Sequence, residues 1–243
     1  RFPLPLGDDA GACGGALLTV QLLDDDQTDR FEAVCHAEGT RFSGGVFACA
    51  AMAEHKITGA DTYHVITPTT TRRTPAEYMT TGWFTGLVPI SVAAAGQSFG
   101  AIARAAQASF DSRIELANVP FERILELGAE AGVRAPASGV AMLSYLDAGL
   151  PPLSPAIIAE WNQLNGRVYS DVGDAHQIGM WVNRLGRGTT VTVAHPNNAT
   201  ARQSALRYTE AMKAEYLDVV AARVSAASSS RVPALAALGA TVS

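Results

Sequence analysis

The sequence predicts an α/β fold, a two-layer sandwich in which a mixed β-sheet carries helices packed on one face. Three observations lead there. Short runs rich in Val, Leu, Ile and Thr alternate along the chain with segments whose apolar residues recur every three or four positions. Two of the runs, Ile178–Leu185 and Thr189–His195, flank only Gly186-Arg187-Gly188, the length of a hairpin loop, so one strand pair must be antiparallel. A third run, Gly82–Val92, contains Pro89, which cannot donate to a ladder and therefore belongs at an edge or a bulge. A purely parallel sheet is excluded.

Taken in order, Ala16–Leu23 is the first strand. It stops at Asp24-Asp25-Asp26, whose carboxylates suit the positive end of a helix. Phe31, Val34 and Cys35 form that helix's apolar stripe, and Gly39 ends it. A second helix starts near Ser43 and stops at Gly59; Val46, Phe47, Ala50 and Ala53 let it pack closely. Thr62–Thr67 reads as a strand followed by a Thr-rich turn over Pro68–Pro75, then the Pro-bearing strand. Phe99, Ile102, Ala103, Ala106 and Phe110 recur at helical spacing. A short helix begins at Pro120, with Phe121, Ile124 and Leu125 on one face. Val140–Leu146 is another strand. After the hairpin, Ala205, Thr209, Met212, Tyr216 and Val219 or Val220 mark the inner stripe of a long helix. Residues 1–15 read as a connection, 16–224 as one α/β unit, and 225–243, rich in Ala and Ser without periodicity, as a flexible tail.

Composition narrows the function classes. Lys and Arg number 18 against 23 Asp and Glu, a formal charge of −5, which argues against a nucleic-acid footprint. No apolar run reaches the roughly 18–20 residues that span a bilayer. Cys13, Cys35 and Cys49 are an odd number with no C-x-x-C pair, and a reducing, cytoplasmic setting is expected.

Five histidines are the natural candidates for a base: His36, His55, His64, His176 and His195. None has the H-x-x-x-H or H-E-x-x-H spacing of a metal site, so no metal is expected. Gly96-Gln97-Ser98-Phe99-Gly100 matches G-x-S-x-G, with Asp147, Asp171 or Asp174 and then His176 or His195 downstream in Ser…Asp…His order. A stand-alone serine hydrolase using Ser98 is therefore one reading, and Ser98 as the cap of the helix beginning at Phe99 is the other. Ser43-Gly44-Gly45 could present backbone N–H groups at a helix start, but no phosphate-loop motif surrounds it.

Thr70-Thr71-Arg72-Arg73 followed by Gly82-Trp83-Phe84-Thr85-Gly86-Leu87-Val88-Pro89-Ile90 resembles the G-R … G-x-F-x-N-x-L-P-L-R signature of condensation-type acyltransferases. Thr85 stands near the family's usual Asn, and no Arg follows Ile90. Pro120-Phe121-Glu122-Arg123-Ile124 resembles its P-F-E element, and Met142–Asp147 and Met180–Leu185 follow in the expected order. The wording is similar to that of mycobacterial polyketide-associated acyltransferases, which esterify trehalose with long fatty or methyl-branched acyl chains. The resemblance implies a chloramphenicol-acetyltransferase-like half. In that superfamily two similar halves enclose a tunnel, and the general base is the second His of an H-H-x-x-x-D-G motif in the first half. His36 and His55 both fail that motif, and the chain opens at Arg1 on a Pro-rich segment, so the resemblance implies the C-terminal half alone, inactive without its partner. It further implies no cofactor, since the donor is an acyl-CoA or carrier-protein thioester. The implied partners are the half bearing H-H-x-x-x-D-G, a trehalose-type acceptor and a polyketide synthase, with the protein cytoplasmic or peripheral at the inner face of the membrane. Ser144 is the candidate oxyanion stabiliser, and Trp83, Thr85 and Tyr145 are candidates for lining the tunnel. Tyr169–Gly173 lies near where plant relatives carry a D-F-G-W-G motif.

Overall fold

A computed structural model of the chain describes residues 2–133, 141–147, 177–184 and 188–229. Six strands form one mixed sheet: β1 (Gly15–Leu23), β2 (Thr62–Thr70), β3 (Thr85–Ala93), β4 (Met142–Asp147), β5 (Gly179–Arg184) and β6 (Thr189–Pro196). Their order across the sheet is β1-β6-β5-β4-β2-β3. The pairs β1/β6, β6/β5 and β2/β3 are antiparallel, whereas β5/β4 and β4/β2 are parallel. The mixed sheet read from the sequence is therefore present, and Pro89 lies on β3 at the sheet's edge, paired with Ile66.

The helices are α1 (Asp25–Ala37), α2 (Phe42–Thr58), α3 (Pro75–Tyr78), α4 (Phe99–Asp111), α5 (Phe121–Glu130) and α6 (Ala199–Ser229), with a 3₁₀ turn at Ile114–Asn118. Local chemistry sets their ends. Asp24 caps α1 in a reciprocal box with Gln27, which satisfies two otherwise unpaired donors. α2 ends on Gly59 at φ 73°, a left-handed conformation that a Cβ would strain. Pro120 occupies the cap of α5 rather than its first turn. The Thr-rich segment differs from its sequence reading. β2 continues through Pro68 to Thr70, because Thr69 and Thr70 pair with Gly86 and Thr85. α3 was not expected, although Thr74-Pro75-Ala76-Glu77 carries the capping-box spacing that specifies it. α6 runs to Ser229, five residues into the stretch read as a tail.

Alternation along the strands assigns the two faces of the sheet. Leu22, Tyr63, Val65, Val88, Ile90, Val92, Leu143, Met180, Val182, Val191 and Val193 point to one side and pack into a single core with α1, α2, α4 and α6. The stripe expected for α6 is there: Ala205, Thr209, Met212, Tyr216, Val219 and Val220 are all buried. Gly44 and Gly45 serve packing. A Cβ on Gly45 would lie 2.5 Å from Cys35 Sγ, and one on Gly44 would lie 2.9 Å from the Ala103 carbonyl oxygen. The N–H groups of both donate to the Arg41 carbonyl, so they hold no anion.

One ion pair ties α1 to the sheet. Arg184 on β5 donates to both carboxylate oxygens of Glu32 at 2.7 and 2.6 Å, and its guanidinium lies over the Phe42 ring. Hydrogen bonds from Arg184 hold the Glu32 carboxyl below the usual carboxylate range. A carboxyl depressed in the folded state stabilises above its unfolded pKa, and that contribution disappears as pH falls through the folded value. Glu32→Gln is therefore expected to lower stability by roughly 1 kcal/mol at pH 7, with a smaller difference from wild type at pH 3. Urea unfolding at the two pH values checks this; an equal loss at both would show that the ion pair is not its cause.

Candidate functional site

The sheet face away from the helices leads to a cleft at the β2–β3 end. It encloses about 860 Å³. Pro68 and Leu87 line it from the two edge strands, and Met142 and Trp181 line it from β4 and β5. Thr71, Arg73, Glu77, Trp83, Phe84 and Thr85 line it as well, together with the segment Ala117–Glu122. The lining is apolar below, with charged and hydroxyl groups from Arg73, Glu77, Glu122 and Thr71. Such a lining suits an amphiphile with a long hydrocarbon part.

Two of the residues expected at a site, Trp83 and Thr85, are part of this cleft. Trp83 is 85% exposed. Ser144 is not one of the residues that line the cleft, but lies on the same face of the sheet. On β4 it is two residues beyond Met142 and is paired in register with Trp181, so all three share the cleft face of the sheet. Ser144 is half-buried, between the parallel strands β5 and β2. Tyr145 is not brought to them, because successive strand residues point to opposite faces. It stacks on Phe42 with centroids 5.5 Å apart and donates from its hydroxyl to Asp147 at 3.0 Å. Burial and the Asp147 carboxylate push its phenol pKa well up, so it stays neutral.

Sequence reasoning missed Phe84, Met142 and Trp181. Met142 and Trp181 sat in runs recognised as strands, and their immediate neighbours Leu143 and Val182, buried in the core, put them on the opposite face.

The hydrolase constellation does not assemble among the described residues. Ser98 Oγ accepts from the Ala101 N–H at 3.3 Å and caps α4. His55 and His195 bind the carbonyls of Ala60 and Pro196 through Nδ1. Asp147 is held by Tyr145 and lies 3.5 Å from Arg184. Asp171, Asp174, His176 and the segment Tyr169–Gly173 lie outside the described residues. Cys35 and Cys49 are no nucleophiles: burial pushes the Cys35 thiol up to about 12 and raises Cys49 as well. No group of three His, Cys, Asp or Glu among the described residues could hold a metal ion, and none of their helices is long and apolar enough to cross a membrane.

The sequence of β1–β3 and α1–α5 matches a known family, the Condensation domain, over residues 15–136, half of the chain. The chain belongs to the condensation-domain family. As such it is similar to two proteins of Mycobacterium tuberculosis (strain ATCC 25618 / H37Rv). Trehalose-2-sulfate acyltransferase PapA2 is 52% identical over 218 residues, which are 89% of this chain and 46% of that protein. Acyltransferase PapA3 is 47% identical over 215 residues, 88% of this chain and 45% of that one. A solved structure of PapA2 acyl transferase superposes with a TM-score of 0.78 at 49% identity, covering 90% of this chain and 47% of that chain. The first condensation domain of the calcium-dependent antibiotic synthetase shares the condensation-domain fold at 16% identity, with a TM-score of 0.65 over 91% of this chain and 49% of the other. The chain spans about half the length of the curated relatives it matches.

Proposed function

We propose that this chain is the C-terminal half of an O-acyltransferase that moves a long fatty or polyketide acyl group from a thioester to a hydroxyl of trehalose or a trehalose ester. The carrying observation is the likeness to PapA2, which extends over nine-tenths of the chain in both sequence and structure. A further relative, 46% identical over 213 residues, is named 2'-acyl-2-O-sulfo-trehalose (hydroxy)phthioceranyltransferase PapA1. The apolar cleft with its polar rim supports the same reading.

The chemistry is one displacement. A His supplied by a half bearing H-H-x-x-x-D-G removes the proton of the acceptor hydroxyl. The oxygen attacks the thioester carbonyl, a C–O bond forms, and the carbonyl oxygen carries the negative charge. Collapse of that intermediate breaks the C–S bond, and the thiolate takes up the proton. Ser144 donates to the oxyanion from the cleft face, where a positioned hydroxyl is effective because it needs no reorganisation. Trp83 and Thr85 contact the acyl chain at the cleft, and Tyr145 braces β4 from the helix side. The thioester is already an activated donor, so the reaction draws on no cofactor. A protein with this substrate would work in the cytoplasm, peripheral to the membrane where its lipid product accumulates, and beside a polyketide synthase as acyl supplier.

The test is reconstitution. The purified chain is mixed with a separately expressed polypeptide carrying the H-H-x-x-x-D-G half, and transfer of labelled palmitoyl from palmitoyl-CoA to trehalose or trehalose-2-sulfate is followed. Activity is expected only in the mixture. Transfer by the chain alone would refute the assignment of the base, and a co-purifying but inert mixture would refute the acyl-transfer reading.

A further inference from the structure

The wall of the cleft that carries Trp83 is held in an unusual way. From Arg73 to Trp83 no residue is buried, so the hydrophobic core does not shape this segment. Met79 and Trp83, at 88% and 85% exposure, stand out into solvent. An excursion of this kind, without core contacts, would ordinarily sample many conformations.

The Arg72 guanidinium lies at its centre, and that of Arg73 ties its start to Glu115 at 2.9 Å. Arg72 donates from Nε to the Glu77 carbonyl at 2.9 Å, and from Nη2 to the Thr80 and Gly82 carbonyls at 3.2 and 3.0 Å. Its guanidinium carbon is 4.4 Å from the centroid of the Phe84 ring. The chain therefore wraps around Arg72, and the Thr71 N–H donates to the Phe84 carbonyl at 2.9 Å, closing the base of the loop. On the outer side, the Glu77 carboxylate accepts from the Arg73 and Thr74 N–H groups at 2.7 and 2.8 Å. Thr71, Arg73, Glu77, Trp83 and Phe84 all line the cleft, whereas Arg72 is not among its lining residues.

We propose that Arg72 is a positioning residue for the cleft: it builds the wall that presents Trp83 and Phe84 to an acyl ligand without touching that ligand itself. The geometry needs a planar fork. Three carbonyls lie in different directions around one group, with an aromatic ring on its face. A lysine ammonium is a point charge on a flexible stem and cannot reproduce both sets of contacts. Holding the wall in one conformation before binding spares the ligand the cost of ordering it. The acyl part of this inference rests on the reading of the cleft given above; the positioning part does not.

The experiment separates the two. The chain is labelled with 5-fluorotryptophan, and the Trp83 fluorine resonance is assigned by its loss in Trp83→Phe. In Arg72→Ala and Arg72→Lys this resonance is expected to move to the position of a solvated, averaged indole, while the Trp181 resonance and the melting temperature stay near wild type. The Kd for palmitoyl-CoA, measured by fluorescence titration of the same proteins, is expected to rise about tenfold in both variants. An unmoved Trp83 resonance in Arg72→Ala would overturn the positioning role whatever the ligand data show. A displaced Trp83 with unchanged Kd would overturn the claim that the wall's placement governs binding, as would full rescue by lysine. Absence of palmitoyl-CoA binding to wild type would overturn the acyl reading of the cleft, while the fluorine spectra still decide the positioning.

Discussion

Gly86→Ala is expected to cost about 3 kcal/mol and to lower the melting temperature by roughly 10 °C, the largest stability effect of any single methyl group on this sheet. The reason is contact with backbone. A Cβ built on Gly86 would lie 1.8 Å from the carbonyl oxygen of Ala117 and 2.6 Å from its Cα. No rotamer change relieves such a clash. Either β3 leaves its register with Thr69 or the 3₁₀ turn moves away as a unit. Since Ala117, Asn118 and Val119 belong to the cleft, the second outcome also widens it. Calorimetry of the variant decides the matter: a melting temperature within 2 °C of wild type would mean that the 3₁₀ turn yields at little cost.

The second large effect concerns rate. In the reconstituted enzyme Ser144→Ala is expected to lower kcat about 100-fold with KM nearly unchanged, as befits a group whose hydrogen bond forms fully only with the tetrahedral intermediate. Ser144→Thr, which keeps the hydroxyl, should recover most of the rate. Because Ser144 is half-buried, both variants should melt close to wild type. An alanine variant as fast as wild type would reduce this chain to a scaffold for the other half.

The strands were legible because alternation and β-branched content leave a strong imprint, and the hairpin and Pro89 fixed the mixed character of the sheet. Boundaries failed where a local signal competed with pairing. Pro68 reads as a turn residue, yet β2 continues past it because β3 supplies partners for Thr69 and Thr70. α3 is a single turn, too short for periodicity, and only its capping box announced it. The site was less legible than the fold. A sequence shows that Ser144 and Tyr145 are neighbours, but only the phase of the strand decides that one faces the cleft and the other the core. Arg72 offered even less, since a guanidinium that serves three main-chain carbonyls resembles any surface arginine until the loop is closed around it.

The pairing of β1 with β6 has a consequence for how this protein comes into being. Gly15 meets Pro196 and Val20 meets Val191 across the sheet, so β1, once synthesised, must wait for β6 before it can pair. Closing so long a loop precedes any reward from the contacts it makes, and chains built this way fold slowly. Until then Leu18, Val20 and Leu22 stay uncovered on a nascent strand with no neighbour. That interval is when chaperones would be most needed, and any polypeptide ending short of Pro196 would remain in it permanently.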